Sequence, residues 1–395
     1  MKPWARPSVL LHQIPTAMDK DDRSFGESWK VDSGDPTWTG TQTAVKEQKV
    51  EEWDDETLVL GIETSCDETS ASVVRGGREI LSNVIASQTE LHGEYGGIVP
   101  EAAARAHVEA LTPAIREALL RADATFWDLD AVAATLGPGL IGSLLVGVAE
   151  AKAIASVLDI PFVGVNHLEA HIYSNFLGNH ATKWPAVVLL ISGGHTMLVH
   201  ARGHGNYEIL GGTLDDAAGE AFDKVARFLG LDYPGGPEID RLSLLGNPAA
   251  VRFPRSMVGE PGFDVSYSGL KTSVTNYVRK LEHAGEEINV ADVAASFQQA
   301  VVDIEVAKTM AAIDHTMVDT VFLCGGVAAN SGLRTGLAKA CVDRSVTLHV
   351  PAMELCTDNA AMVASCGTAM LRRGLYTSLD AAPDPNLPLA SPPPA

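Results

Sequence analysis

Apolar and polar positions along the chain fall into blocks that read in turn as strands and helices. Residues 58–62 form an unbroken apolar run, L-V-L-G-I. A polar turn from Glu63 to Thr69 follows, and then an alternating segment, S-A-S-V-V. An apolar run bounded by turn residues predicts a buried strand, and the alternation after it predicts a second strand paired with the first. Residues 185–201, P-A-V-V-L-L-I-S-G-G-H-T-M-L-V-H-A, repeat the plan around a Ser192-Gly193-Gly194-His195-Thr196 turn. Two hairpins of one design, about 130 residues apart, predict an internally duplicated fold. A third unit, V-F-L-C-G-G-V-A-A-N-S-G-L-R from Val321, reads as strand, glycine turn and helix start.

Helical patterns fill the intervals. Pro100–Ala122 is rich in strong helix formers around Pro113, Gly142–Leu158 is rich in small residues, and Val290–Thr316 keeps apolar positions at helical spacing. Residues 212–227 predict a helix with acids in its first turn, and residues 233–240, Y-P-G-G-P-E-I-D, predict a turn. Strands alternating with helices give an α/β class with covered sheets. Residues 1–56 are acidic without sustained period and are expected to be a mostly disordered extension, in which Trp4, Trp29, Trp38 and Trp53 could serve as anchors. Residues 381–395 form a Pro-rich tail with neither helix nor strand pattern.

Composition narrows the class. At 395 residues, 46% hydrophobic and 20% charged, the chain is long enough for two domains with ordinary cores. No window approaches eighteen uninterrupted apolar residues, so no membrane span is expected. Lys2 and Arg6 are followed by Asp19, Asp21 and Asp22 and not by an apolar secretory core, so a cytoplasmic location is expected. Five cysteines without a C-x-x-C suit reduced thiols. The net charge of −21 sits badly with unaided nucleic-acid binding, which needs a basic face. An RNA substrate would call for a local patch, with Arg252, Arg255, Lys271, Arg279 and Lys280 as candidates, or for a helper subunit.

The chemistry centres on V-N-H-L-E-A-H, which places His167 and His171 four residues apart and therefore on one helical face. Such a pair is either a metal clamp or two histidines satisfied by local hydrogen bonds. The metalloprotease pattern H-E-x-x-H carries its general base directly after the first His, where this chain has Leu168. Asp358, in L-C-T-D-N-A-A-M, is the best third ligand or else a helix cap, with Asp216 and His195 as competitors. Two His and one Asp leave open coordination positions and suit iron or zinc. The S-G-G-H-T and C-G-G-V-A-A-N turns offer backbone N–H groups to phosphate oxygens, Asn330 could bond ribose or base, and Asp223 could bind a ribose hydroxyl or a hydrated cation.

Taken together, these stretches resemble the TsaD family of tRNA threonylcarbamoyladenosine enzymes, formerly described as O-sialoglycoprotein endopeptidases. The matching motifs run in family order from about residue 57 to 376: G-I-E-T-S-C-D-E-T, G-G-I-V-P-E, G-P-G-L-I-G-S-L-L-V-G, N-H-L-E-A-H, S-G-G-H-T, G-E-A-F-D-K, Y-P-G-G-P, S-Y-S-G-L-K-T, C-G-G-V-A-A-N and C-T-D-N-A-A-M. The resemblance implies an actin-like ATPase (ASKHA) fold, with two similar subdomains, about 57–180 and 181–380 with a chain crossover, flanking a nucleotide cleft. It implies transfer of a threonylcarbamoyl group from threonylcarbamoyl-AMP to N6 of adenosine 37 in tRNAs reading codons that start with A. Position by position it implies His167, His171 and Asp358 as ligands of one divalent ion, iron(II) before zinc. It further implies Leu190, Ile191, Ser192, Gly193, Gly194, Asp223, Gly236, Asp240 and Asn330 as substrate-binding residues, and Asp67 and Glu68 as cleft residues that are catalytic candidates. Implied partners are tRNA, TsaB-like and TsaE-like helpers and a separate threonylcarbamoyl-AMP synthase. The rival readings are an actin-like small-molecule kinase, which would not need H-L-E-A-H, and a non-catalytic nucleotide-binding subunit, which would not keep it.

Overall fold

A computed structural model describes residues 53–178 and 182–389, so nearly all of the expected N-terminal extension and the last residues of the tail lie outside the described residues. Its strands are β1 (Leu58–Glu63), β2 (Glu68–Arg75), β3 (Glu79–Ser87), β4 (Ala131–Gly137), β5 (Phe162–Asn166), β6 (Ala186–Ile191), β7 (Thr196–Gly203), β8 (Asn206–Gly212), β9 (Thr320–Cys324) and β10 (Thr347–His349). The helices are α1 (Thr89–Gly93), α2 (Pro100–Arg121), α3 (Ile141–Leu158), α4 (His167–Tyr173), α5 (Ala218–Phe228), α6 (Gly235–Ser243), α7 (Ser268–Ala284), α8 (Val290–Thr316), α9 (Ser331–Asp343) and α10 (Ala360–Leu371).

The strands form two five-stranded sheets, ordered β3-β2-β1-β4-β5 and β8-β7-β6-β9-β10. In each sheet the first three strands in sequence are an antiparallel meander, and the last two add parallel to its first strand. The duplication expected from the two hairpins is therefore a duplication of whole sheets. The first hairpin pairs Leu58 with Arg75 through Glu63 with Ser70, and the second pairs Ala186 with Ala201 through Ile191 with Thr196. Both central strands are apolar on both faces because helices cover both sides. Leu60 and Ile62 pack toward α2 and α3, while Val59 faces the middle of the molecule.

That middle is a core shared by the two halves. Val59, Val163, Leu190, Phe322 and Met362 belong to one buried cluster that also takes in α4 and α10. The last helix thus returns to the first sheet, whose β1 it crosses closely. A Cβ on Gly61 would lie 2.1 Å from the carbonyl oxygen of Ala360, so only glycine allows this approach. The small residues of α10 serve the same contact, and this crossing carries Asp358 to the first half of the chain.

Two local expectations are corrected. Residues 212–216 precede α5, which begins at Ala218, and Asp215 caps the turn before α7 by accepting from Tyr267 N at 2.9 Å. The Y-P-G-G-P stretch is a turn only as far as Pro234; α6 starts at Gly235, because the proline supplies its N-cap position and leaves the glycine N–H groups free for a side chain. Among the described residues α3 has the length and apolarity to cross a membrane, yet its Leu144, Gly147, Val148, Ala151 and Ala155 face are packed in the core. Trp53 lies against Tyr376, with its Nε1 donating to the phenol oxygen at 3.2 Å; the other three proposed tryptophan anchors lie outside the described residues.

Candidate functional site

Strand β5 ends at Asn166, whose side-chain oxygen accepts from the N–H groups of Leu168, at 2.9 Å, and Glu169, at 3.2 Å. This cap starts α4 abruptly and fixes where its first residue, His167, points. One turn on, His171 lies beside it, with ring centroids 4.7 Å apart. Asp358 arrives from the residue before the cap of α10. Its Oδ1 is 3.5 Å from His167 Nε2 and 3.1 Å from His171 Nε2. The cap itself is Asn359, which accepts from Met362 N at 3.1 Å, so Asp358 is not spent on capping. Of the three candidates for a third ligand, Asp358 is the one that geometry brings to the histidine pair. Asp216 is paired with Lys224 and Lys271, and His195 stands outside the cluster, whose three ligand atoms lie within 4.8 Å of one another.

These residues fit a divalent ion. His171 is fully buried; its Nδ1 has no hydrogen-bond partner, and its Nε2 lies against Asp358 Oδ1 at 3.1 Å. A buried imidazole with one nitrogen unpartnered and the other held against a carboxylate is a costly arrangement that a cation shared by the cluster would relieve. A borderline metal ion suits two imidazoles and a carboxylate.

Glu63 completes the arrangement, and sequence reading did not single it out. It is fully buried at the end of β1 and accepts from His167 Nδ1 at 3.2 Å, Thr135 Oγ1 at 2.6 Å and Ser65 N at 2.5 Å. An acid closing an otherwise wholly apolar strand was the available signal. Burial alone would raise its pKa, but the His167 charge and hydrogen bond outweigh that and hold it low. Burial likewise works against the His167 imidazolium, yet Asp358 and Glu63 hold its pKa up to about 9. Asp358 is resisted by burial and stabilised as an anion by His167 and His171, which brings it down to about 2. Burial and the two neighbouring imidazoles push His195 down to about 4.

The ligand set opens onto a cleft of about 730 Å³ lined by residues of both halves. One wall carries Ser65, Cys66, Asp67, Glu68, Pro138, Gly139 and Leu140; the other carries Ser192, Gly193, Gly194, Asp223, Lys224 and Gly326. A Cβ on Gly193 or Gly194 would meet nothing within 4 Å, so these glycines present bare backbone to the open cleft. Behind them α5 abuts the turn, with Gly219 N donating to Ser192 O at 3.2 Å. Gly325, at φ +93°, would place a Cβ 2.4 Å from Ile191 O, and it brings the third glycine turn against the second. Burial raises the pKa of Glu68, and the Asp358 and Asp67 carboxylates push it further the same way.

The expected substrate residues divide into two sets. Ser192, Gly193, Gly194 and Asp223 line the cleft, and Asp223 accepts from Gly235 N at 2.8 Å. Leu190 and Ile191 are fully buried in β6, where they place the turn but show no side chain to a ligand. Gly236, Asp240 and Asn330 are not among the lining residues. Asp240 accepts from Gln298 Nε2 at 3.0 Å and Ser331 Oγ at 2.8 Å, while Asn330 caps α9 and donates to Gln298 Oε1 at 2.7 Å.

Under the Cys66–Glu68 wall lies a buried relay that no sequence pattern pointed to. His107 Nε2 is 3.1 Å from Cys66 O and its Nδ1 is 2.8 Å from Thr69 Oγ1; Gln88 bridges His107 and His92; His92 Nδ1 accepts from Val99 N at 3.3 Å. Only a carbonyl faces His107 Nε2, so that nitrogen carries the proton. The relay ties the acidic turn to the Gly97–Ile98 lip of the same cleft.

A duplicated α/β body with a glycine-lined cleft between its sheets, and a His-His-Asp set able to hold a metal ion, defines a protein of the actin-like ATPase fold class. Solved structures agree on the fold. HypF from T. kodakarensis is 16% identical with a TM-score of 0.56, over 81% of this chain and 48% of that one. A phosphate- and nucleotide-bound HypF gives 13% and 0.55, over 81% and 47%. Residues 79–365 match the family model of TsaD, tRNA N6-adenosine threonylcarbamoyltransferase. Curated relatives of that name include one from Desulfitobacterium hafniense, 54% identical over 78% of this chain and 91% of its own length. Another, from Symbiobacterium thermophilum, is 52% identical over 85% and 97%. The chain belongs to the TsaD family.

Proposed function

We propose that this chain transfers the threonylcarbamoyl group of threonylcarbamoyl-AMP to N6 of adenosine 37 in tRNAs that read codons starting with A. The observation that supports this reading best is the meeting, in one cleft, of the bare Ser192–Gly194 turn with the His167, His171 and Asp358 set. The donor is a mixed anhydride with a good leaving group, so no covalent nucleophile is needed. N6 attacks the carbamoyl carbon, the C–N bond forms, the C–O bond to AMP breaks, and N6 sheds one proton.

The chain's own residues have three tasks in this reaction. The N–H groups of Gly193 and Gly194 bind the AMP phosphate, a site suited to an anion. Asp223 takes the ribose side. Asp67 and Glu68, on the opposite wall, are the candidates to receive the proton from N6. When bound at His167, His171 and Asp358, a divalent ion, iron(II) or else zinc, supplies Lewis-acid polarisation of the acyl donor. Glu63 keeps His167 turned with Nε2 toward that position. The adenine has to leave its stack to enter a cleft between two sheets.

Transfer RNA binding by a chain of net charge −21 needs help. Of the five basic residues named above, Arg255 is bonded to Asp303 through two nitrogens, at 2.9 and 2.7 Å, and Lys271 is paired with Asp216. Only Arg252, Arg279 and Lys280 remain of the five, few cations against that net charge, which favours TsaB-like and TsaE-like helpers, with a separate synthase to deliver the adenylate. The decisive experiment is mass analysis of tRNA nucleosides after incubation with helpers, threonine, bicarbonate and ATP. Absence of threonylcarbamoyladenosine where a relative produces it would overturn the reading.

A further inference from the structure

The Pro-rich tail has no helix or strand between residues 381 and 389, as its composition predicts, yet it is not loose. The chain first runs along the edge strand β5, where Thr377 N donates to Phe162 O at 2.9 Å and Thr377 Oγ1 accepts from Gly164 N at 2.8 Å. It then crosses the loop after β4. Asp384 N donates to Leu136 O at 2.9 Å, and Pro385 O accepts from Gly139 N at 3.2 Å. The contact is close enough that a Cβ on Gly137 would lie 1.8 Å from Asp384 O. Lys152 from α3 bonds the carbonyl of Ala381. The segment ends with Leu389, 5% exposed, inserted in the core shared by the two sheets.

Its most informative contact is with Asn166. The side-chain oxygen of that residue caps α4, and its Nδ2 donates to Leu387 O at 3.2 Å and Pro388 O at 3.0 Å. One amide therefore joins the tail to the first turn of the helix that carries both histidines. The loop beneath the tail leads on to the same place. Pro138, Gly139 and Leu140 line the cleft, and Leu140 N donates at 2.8 Å to the carbonyl of Ser65, two residues from Glu63. A segment that served only to cover an edge strand would not need either contact.

We propose that residues 381–389 are a strap that positions the start of α4 and the Pro138–Leu140 wall, and so sets how tightly His167, His171 and Asp358 hold their ion. The inference rests on the reading of those three residues as metal ligands. Outer-shell groups that orient ligands commonly govern affinity by ten- to a hundredfold.

The test uses the full-length protein, zinc as probe, and competition with a chromophoric chelator well below the melting temperature. Leu389→Asp puts a charge where the tail is buried and touches nothing in the cleft. Asn166→Asp keeps the acceptor that caps α4 but faces the Leu387 and Pro388 carbonyls with an oxygen in place of their donor. Each is expected to weaken zinc binding roughly tenfold, with faster amide exchange at Leu168 and Glu169. The double variant is expected to be no weaker than the weaker single, because both act through one contact. Zinc affinity within twofold of the parent in both variants would show that the tail only stabilises the fold, and would overturn the proposal. His167→Ala is the separate control: unchanged zinc affinity there would remove the metal reading itself.

Discussion

Glu63 ends β1 and His167 begins α4, 104 residues apart in sequence, and they meet at 3.2 Å between Oε2 and Nδ1. With that nitrogen engaged, Nε2 is the one turned to Asp358. The tautomer of a ligand is thus set from behind by a fully buried carboxylate, itself held by Thr135 and Ser65.

Glu63→Gln keeps the shape and loses the charge. Metal affinity is expected to fall by roughly ten- to a hundredfold, with the melting temperature changed far less than by a cavity at the same place. Chelator competition and calorimetry on one preparation check this. Unaltered affinity would mean that Glu63 merely fills the end of β1.

His167→Ala is expected to remove bound metal and abolish transfer while the protein stays folded. Metal content by plasma mass spectrometry, circular dichroism and nucleoside analysis give the three readouts. Normal modification of tRNA by the folded, metal-free variant would refute the role given to the ion.

Gly193→Val tests the cleft without testing the core. A Cβ there meets nothing within 4 Å, so stability is expected to change by only about 0.5 kcal/mol. The branched side chain would occupy space given to the adenylate, and KM for it is expected to rise at least about tenfold. An unchanged KM would place the nucleotide elsewhere.

Glu305 offers a prediction on pH. Burial in α8 raises its carboxyl from 4.5 to about 7, although the hydroxyl of Tyr267 donates to it. The folded state then binds the proton more tightly than the unfolded chain. Its contribution to stability is complete below pH 4.5 and is lost as pH rises through 7. Glu305→Gln is expected to gain on the parent between pH 5 and pH 8 in urea denaturation. A constant difference across that range would contradict the assignment.

Much of the site was readable because the residues that carry it are unusual for their surroundings. Paired glycines after apolar strands and two histidines at helical spacing stand out locally; Gly193, Gly194 and Gly326 line the cleft, and the two histidines meet Asp358 beside it. Glu63 left one weak trace, an acid closing an apolar strand; His107 and Gln88 left none, since a lone histidine or glutamine looks the same whether it is solvated or buried. Asp240 and Asn330 show the converse. Their residue types stand out for a nucleotide, while their bonds to Gln298 could not be read from spacing.

The sequence by itself determined the strands, the doubled hairpin and the two histidines on one face, because hydrophobic period and residue spacing are local properties of a chain. Tertiary structure alone decided what they face. The return of α10 across Gly61 brings Asp358 to His171, the buried end of β1 turns His167, and Leu387 and Pro388 reach back to Asn166. Each of these contacts joins segments far apart in the chain, where no local pattern specifies the partner and only the packing of a shared core does.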